Sequence, residues 1–268
     1  VGLSDTYNLS GALEFSENIS SVGTQPIIGS QVQFKFKNTY GLIPLIAKNY
    51  NGYKNIIELS SKAYLENDDN DQPHCSIEDL TKYSDGIIVL SGAINNLIGN
   101  MFNKGLFEEL NELFTILNNN FKENFYLEIQ RHGDKNEKEF EIFNLNLSKK
   151  YEIPIIATNE VYYLDKDMYE AHDALMCIGQ KTYINDQKRL KLTNNHYFKS
   201  TSEMSEIFKD LPEALENNYN LPYRCDFRPI PSKPILPNIN TNTVNIDDKL
   251  KNDSIEGLEE KFLSLIHI

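Results

Sequence analysis

Short apolar runs alternate along this chain with longer stretches in which apolar residues recur every three or four positions. Five runs predict strands: residues 24–34 (TQPIIGSQVQF), 41–49 (GLIPLIAKN), 86–92 (GIIVLSG), 125–133 (FYLEIQRHG) and 153–160 (IPIIATNE). Several are apolar at consecutive positions, as strands are when helices cover both faces of a parallel sheet. Between them, residues 55–65, 107–121 and 137–151 carry helical patterns. In the second, Leu110, Leu113, Phe114 and Leu117 fall at i, i+3, i+4 and i+7 and make one apolar stripe. Strand and helix in alternation predict an α/β barrel or a doubly wound sheet.

The strand ends decide between these two. They carry polar or small clusters: Ser4-Asp5-Thr6, Ser30-Gln31, Lys48-Asn49, Ser91-Gly92, Glu128-Gln130-His132 and Thr158-Asn159-Glu160. Parallel barrel strands bring such ends to one face, where chemistry sits, so an α/β barrel is expected over residues 1–225. The pattern then changes. Pro229, Pro231, Pro234 and Pro237 keep residues 226–247 extended, which predicts a Pro/Asn-rich linker. A helical pattern at 248–262 is expected to begin a second unit. The chain opens on VGLSD without Met, and this reads as the tail of a strand whose start lies upstream, so the barrel is expected to lack its first strand. LSLIHI (263–268) matches the translation of a sequencing-library adapter.

Composition narrows the function. Apolar residues are 40% and aromatics 11%, a globular balance. The formal charge of −13, with no dense Lys/Arg block, disfavours direct binding of nucleic acid. Three scattered cysteines, Cys75, Cys177 and Cys225, fit a reducing compartment. No apolar run approaches the roughly 20 residues needed to span a bilayer. SGAINNLIG (91–99) lacks the Gly-Lys-Ser/Thr of a phosphate loop. His172 reads as a helix-packing or capping residue, His74 and His196 as surface or turn residues, and Cys177 as a small buried hydrophobe. Phe102, Phe107 and Phe114 read as core.

Seven blocks occur in a characteristic order: LSDTYNLSGALEF, QPIIGSQVQF, LIAKNYNGYKNIIELSSKAYL, IIVLSGA, YLEIQRHG, IIATNEVYYLDKDMYEAHDALMCIGQ and YFKSTSEMSEIFKDLPEALENN. Together they resemble the amino-terminal polymerase-and-histidinol-phosphatase (PHP) domain of bacterial DNA polymerase III alpha subunits, over about residues 1–262. The helix at 248–262 then resembles the lead-in to the palm region. Relatives with an intact site hold several metal ions on His and carboxylate ligands. The resemblance places a His-x-His upstream of Val1. It puts Thr6 where metal-binding relatives have His after Asp5, Gln31 where they offer Glu, and Glu160 and Tyr162 where they show Asp-x-His. Glu128 and His132 match.

Divalent ions need anionic oxygens or imidazole nitrogens. Thr6, Gln31 and Tyr162 supply only neutral groups at neutral pH. Asp5, Glu128, His132 and Glu160 are too few for a multi-ion cluster, so the expectation is a vestigial, metal-free site without catalytic residues. For Glu128 and His132 a structural hydrogen bond is the expectation, with an acid–base pair or a single-metal remnant as the alternatives. The resemblance implies a parent chain that extends DNA with magnesium in the bacterial cytoplasm, alongside a proofreading exonuclease subunit, a sliding clamp and primer-template DNA. This domain would brace the polymerase and dock the exonuclease. The alternatives are an active metal-dependent phosphoesterase or 3′–5′ exonuclease and, more weakly, a histidinol-phosphate-type phosphatase.

Overall fold

The computed structural model describes residues 1–67, 71–234 and 245–266. Residues 235–244 of the expected linker, including Pro237, and the last two residues of LSLIHI lie outside the described residues. The chain divides into two compact units, Val1–Ile230 and Pro231–Ile268.

The first unit is mixed α/β. Its strands are β1 (Gly2–Thr6), β2 (Ile27–Phe36), β3 (Thr39–Ala47), β4 (Cys75–Ser76), β5 (Ile87–Leu90), β6 (Phe125–Ile129) and β7 (Ile155–Ala157). Its helices are α1 (Ala12–Ser21), α2 (Tyr50–Leu65), α3 (Ile77–Lys82), α4 (Leu97–Asn103), α5 (Phe107–Phe121), α6 (Glu137–Tyr151), α7 (Tyr169–Gly179), α8 (Thr201–Ile207) and α9 (Pro212–Asn220). The second unit contains α10 (Ile246–Ile266). All five predicted strand runs hold strands.

Among the described residues one sheet runs in the order β1-β2-β3-β5-β6-β7, with β4 on β2. The sheet and its helices match a distorted PHP-type barrel. Strand pairing departs from simple alternation at one place. β2 and β3 are antiparallel, with Phe36 opposite Thr39, so a tight turn replaces a crossover helix. Lys37 takes φ 50° in that turn. β3 therefore also runs antiparallel to β5, which turns its C-terminal end away from the other strand ends. The Lys48-Asn49 cluster accordingly does not join the rim. The Lys48 N–H donates to the Gly86 carbonyl before β5, and Asn49 caps α2 by accepting from the Gly52 N–H at 3.0 Å.

The sheet has two apolar faces. Val89, Phe125, Leu127, Ile129 and Ile155 join the large core under α2, α5 and α6. Ile88, Leu90, Tyr126 and Ile156, one residue out of phase, form a smaller cluster with Leu221 and Cys225. The stripe of α5 is buried as predicted. Cys75, Cys177 and Cys225 are all buried, and burial raises the Cys75 thiol to about 12. Phe107 departs from expectation. At the start of α5 it is 49% exposed, resting edge-on against Phe102.

Arg131, just past β6, ties the outer helices to the sheet. Its Nε and Nη2 donate to Glu141 of α6 at 3.0 and 2.5 Å. Its Nη1 and Nη2 donate to Asp210 at 2.7 and 2.8 Å, and Nη1 also reaches the Ile207 carbonyl at 2.6 Å. The guanidinium lies over the Phe208 ring. A lysine has neither the planar fork nor five donors. Arg131→Lys is expected to lower unfolding free energy by about 2 kcal/mol, the scale of hydrogen bonds to charged groups. Urea denaturation measures it, and an unchanged midpoint would contradict this role.

Candidate functional site

The strand-end residues singled out by sequence fall into two groups. Asp5, Thr6 and Gln31 sit on β1 and β2. Thr6 pairs with Gln31 across the parallel register, and Asp5 pairs with Ser30. Ser30 Oγ donates to the backbone carbonyls of Asp5 and Asn8, and the Gln31 amide oxygen accepts weakly from Asn96 at 3.4 Å. Thr6 is exposed, while Asp5 and Gln31 are half-buried. Glu128 lies within β6, and His132, Glu160 and Tyr162 follow β6 and β7, at the far end of the sheet order. Among the described residues, no hydrogen bond or ion pair joins the two groups.

Glu128 occupies the fourth of five fully buried positions in β6, on the face shared by Tyr126 and Ile156. Its N–H donates to Ser91 Oγ at 2.8 Å. Its Oε1 accepts from Gln130 Nε2 at 2.9 Å and from the Thr158 hydroxyl. Burial pushes this carboxyl above the ordinary range, against the opposing pull of those two bonds, and the nearby Glu160 charge adds to the rise. Oε2 is buried without a hydrogen-bond partner among the described residues, while Asn144 of α6 donates through Nδ2 to the Glu128 backbone carbonyl at 3.2 Å. The groups that bond to its carboxyl, Thr158 and Gln130, are neutral.

Glu160 and Tyr162 engage each other, the phenol donating to Glu160 Oε1 at 2.8 Å. Burial, reinforced by the Glu160 charge, raises the phenol further above neutrality. Tyr162 also packs against His172 of α7, with ring centroids 5.6 Å apart, which fits the packing role expected for that histidine.

His132 is 1% exposed and so is His196. Their rings stack with centroids 4.0 Å apart and planes within 5°. This corrects the expectation for His196. A polar, Asn-rich context suggested a turn at the surface, but residues 193–199 form a strap laid over the strand ends. Tyr163 and Tyr197 make an isolated parallel bridge, and the Tyr162 N–H donates to the His196 carbonyl. Thr193 Oγ1 and Asn195 Nδ2 both donate to the His132 carbonyl, at 2.7 and 2.9 Å. Burial lowers the His196 imidazole to about 4, with the neighbouring His132 adding to the drop.

Asp134 completes a trio that sequence reading did not find. One donor atom each from His132, Asp134 and His196 lies within 4.8 Å of the others. Asp134 is half-buried, and burial raises its carboxyl, with Glu137 adding to the rise. Burial pushes the Glu137 carboxyl up too, but the nearby His132 side chain and the His132 and Gly133 amides that donate to it bring it below the ordinary range. At the positions singled out by the sequence resemblance, Thr6, Gln31 and Tyr162 carry neutral side chains, and burial raises the carboxyl of Glu128. The trio has the donor types to hold one metal ion.

Comparison with known proteins agrees with this architecture. The PHP domain family model matches residues 1–132. Residues 1–132 belong to the PHP family. DNA polymerase III subunit alpha of Caulobacter vibrioides is 34% identical over 98% of this chain, and that of Rickettsia bellii 37% over 96%. The Vibrio cholerae subunit is 34% identical over 97%. The chain is thus homologous to the PHP region of these subunits, and it spans 22–24% of their lengths.

The state of Glu128 gives a test. A carboxyl whose pKa is raised by folding contributes stability in full below its unfolded pKa, about 4.3. That contribution is lost as pH rises through the folded value. Glu128→Gln keeps an acceptor for Thr158 and Gln130 and never ionises. Urea titrations from pH 4 to pH 9 should show the variant losing less stability than the parent as pH rises. A steeper loss in the variant would mean that Glu128 works as an anion.

Proposed function

We propose that this chain is the PHP region of a replicative DNA polymerase alpha subunit and serves there as a scaffold. The observation that carries the reading is the chemistry of the strand ends, set on a chain homologous to that region. Thr6, Gln31 and Tyr162 offer no charge at neutral pH, and burial favours the neutral form of Glu128. In this reading the parent enzyme extends primer-template DNA with magnesium at carboxylates elsewhere in the longer protein, in the bacterial cytoplasm and with a sliding clamp. The PHP region braces the polymerase and docks a proofreading exonuclease subunit. Its acidity suits a role away from the DNA backbone. No helix among the described residues is long and apolar enough to cross a membrane.

A second reading, a metal-dependent phosphoesterase or 3′–5′ exonuclease, is favoured by the His132, Asp134 and His196 trio. A metal-bound water near a cleavable phosphate is the general requirement for such chemistry.

A full-length alpha subunit carrying this PHP region distinguishes the two. With manganese or zinc and a labelled 3′ primer terminus, no metal-dependent nucleotide release is expected from the alpha subunit alone. Hydrolysis that disappears in His132→Ala would overturn the scaffold reading. Deleting residues 1–230 should weaken binding of the exonuclease subunit by about tenfold or more, a loss of at least about 1.4 kcal/mol, as read by biolayer interferometry. Unchanged binding would place the docking surface elsewhere.

A further inference from the structure

The hydrogen bonds around the stacked imidazoles fix their tautomers. Asn159 Nδ2 donates to the Tyr197 carbonyl at 2.8 Å, and Asn159 Oδ1 accepts from Lys199 Nζ at 2.8 Å. The Asn159 amide is therefore oriented with its oxygen toward His132, whose Nε2 lies 3.1 Å from that oxygen. An oxygen acceptor requires Nε2 to carry the proton, which leaves Nδ1 with a bare lone pair in the neutral ring. The same logic holds in the strap. His196 Nδ1 faces the Glu160 carbonyl at 3.2 Å and must donate to it, so Nε2 is the bare nitrogen.

Both bare nitrogens are buried, and neither has a hydrogen-bond partner among the described residues. Each such atom ordinarily carries a desolvation cost. His132 Nδ1 lies 3.6 Å from Glu137 Oε1, so a neutral His132 points its lone pair toward a carboxylate. That carboxylate is already occupied by the His132 and Gly133 amides. Asp134 brings a second carboxylate oxygen into the group. Two imidazoles, each anchored through its far N–H to an oxygen, with near nitrogens free and a carboxylate beside them, form the arrangement that outer hydrogen bonds give to metal-ligating histidines.

We propose that His132, Asp134 and His196 form a binding site for a single divalent transition-metal ion, with zinc as its best-matched occupant. Two neutral nitrogens and one carboxylate suit zinc and disfavour magnesium and calcium, which take oxygen shells. The site differs from the multi-ion cluster of PHP relatives. Only His132 belongs to the family's ligand positions, whereas Asp134 lies in the turn before α6 and His196 in the strap. Zinc–nitrogen bonds run near 2.0–2.1 Å along the lone-pair direction in the ring plane. Parallel rings cannot both satisfy this, so binding turns the imidazoles out of their stack. The ion then links the strap to the end of β6 across a span of 64 residues in sequence. This proposal does not depend on the polymerase reading, because it concerns metal content alone.

The test is zinc titration of the 268-residue chain after chelator treatment, followed by dialysis and elemental analysis. One equivalent per chain is expected. His196→Ala and Asp134→Asn should each weaken binding at least tenfold, as loss of a ligand does. Asp5→Asn and Glu128→Gln, at family positions outside the trio, should leave affinity within threefold. Zinc should also slow proteolytic cleavage within residues 180–199 in the parent chain but not in Asp134→Asn. Far-UV circular dichroism verifies folding, and if His196→Ala unfolds, the half-buried Asp134→Asn variant carries the test. No zinc bound to the folded parent chain would overturn the site. So would binding indifferent to His196→Ala and Asp134→Asn, or binding lost in Asp5→Asn.

Discussion

The arrangement of the rim depends on one residue that makes no contact with its chemistry. Arg131 uses every donor of its guanidinium. Two go to Glu141, two to Asp210 and one to the Ile207 carbonyl. A planar fork held on three sides has little freedom to rotate, and the backbone that carries it is fixed with it. His132 is the next residue. Its orientation follows from the clamp on one side and from the two strap bonds to its carbonyl on the other. The clamp also sets the link between α8 and α9, so the C-terminal end of the strap and the end of β6 share one anchor.

From this anchor the two halves of the rim take different electrostatic characters. The β1–β2 half offers a threonine, an amide and one half-buried carboxyl. The β6–β7 half concentrates Glu128, Asp134, Glu137 and Glu160 around two histidines. Carboxylates this close and this buried cannot all ionise without a compensating cation or a proton. The molecule answers the problem in different ways at different positions. Burial favours a proton on Glu128. Glu137 stays anionic because amides donate to it. Glu160 takes a phenol as its donor. Among the described residues no hydrogen bond to the Asp134 carboxylate is formed, and one ring nitrogen each of His132 and His196 lies within 4.8 Å of it.

Much of the fold could be read from the chain because burial on both faces leaves an unbroken apolar run. IIVL of β5 and FYLEI of β6 are buried at every position, and the helical stripe of α5 faces the core as its spacing demands. The β2–β3 reversal was harder to see. Its turn spans only Lys37 and Asn38, and neither is glycine or proline, so two strands with ordinary apolar patterns looked like two steps of an alternating fold. That single reversal removed Lys48-Asn49 from the rim. In the site, Glu128, His132, Glu160 and Tyr162 were legible because they follow strands whose ends converge. His196 was not. It precedes α8 in a stretch with no regular period, and its burial comes from the Tyr163–Tyr197 bridge and from the stack on His132, contacts between residues tens of positions apart.

The strap changes how such a rim can vary. When every ligand stands at a strand end, replacing one carboxylate by a neutral group removes an anionic donor from ions that several groups share, and the whole cluster weakens. A ligand carried on the strap is held by different bonds, from Asn159, Asn195 and Tyr162. None of these depends on the charge at Asp5, Thr6 or Gln31. The strand ends can therefore become neutral while the strap keeps a nitrogen over His132. Scaffold and single-ion site are compatible in the same molecule for that reason: one is set by the chemistry of β1 and β2, the other by the anchoring of residues 193–199 to β6.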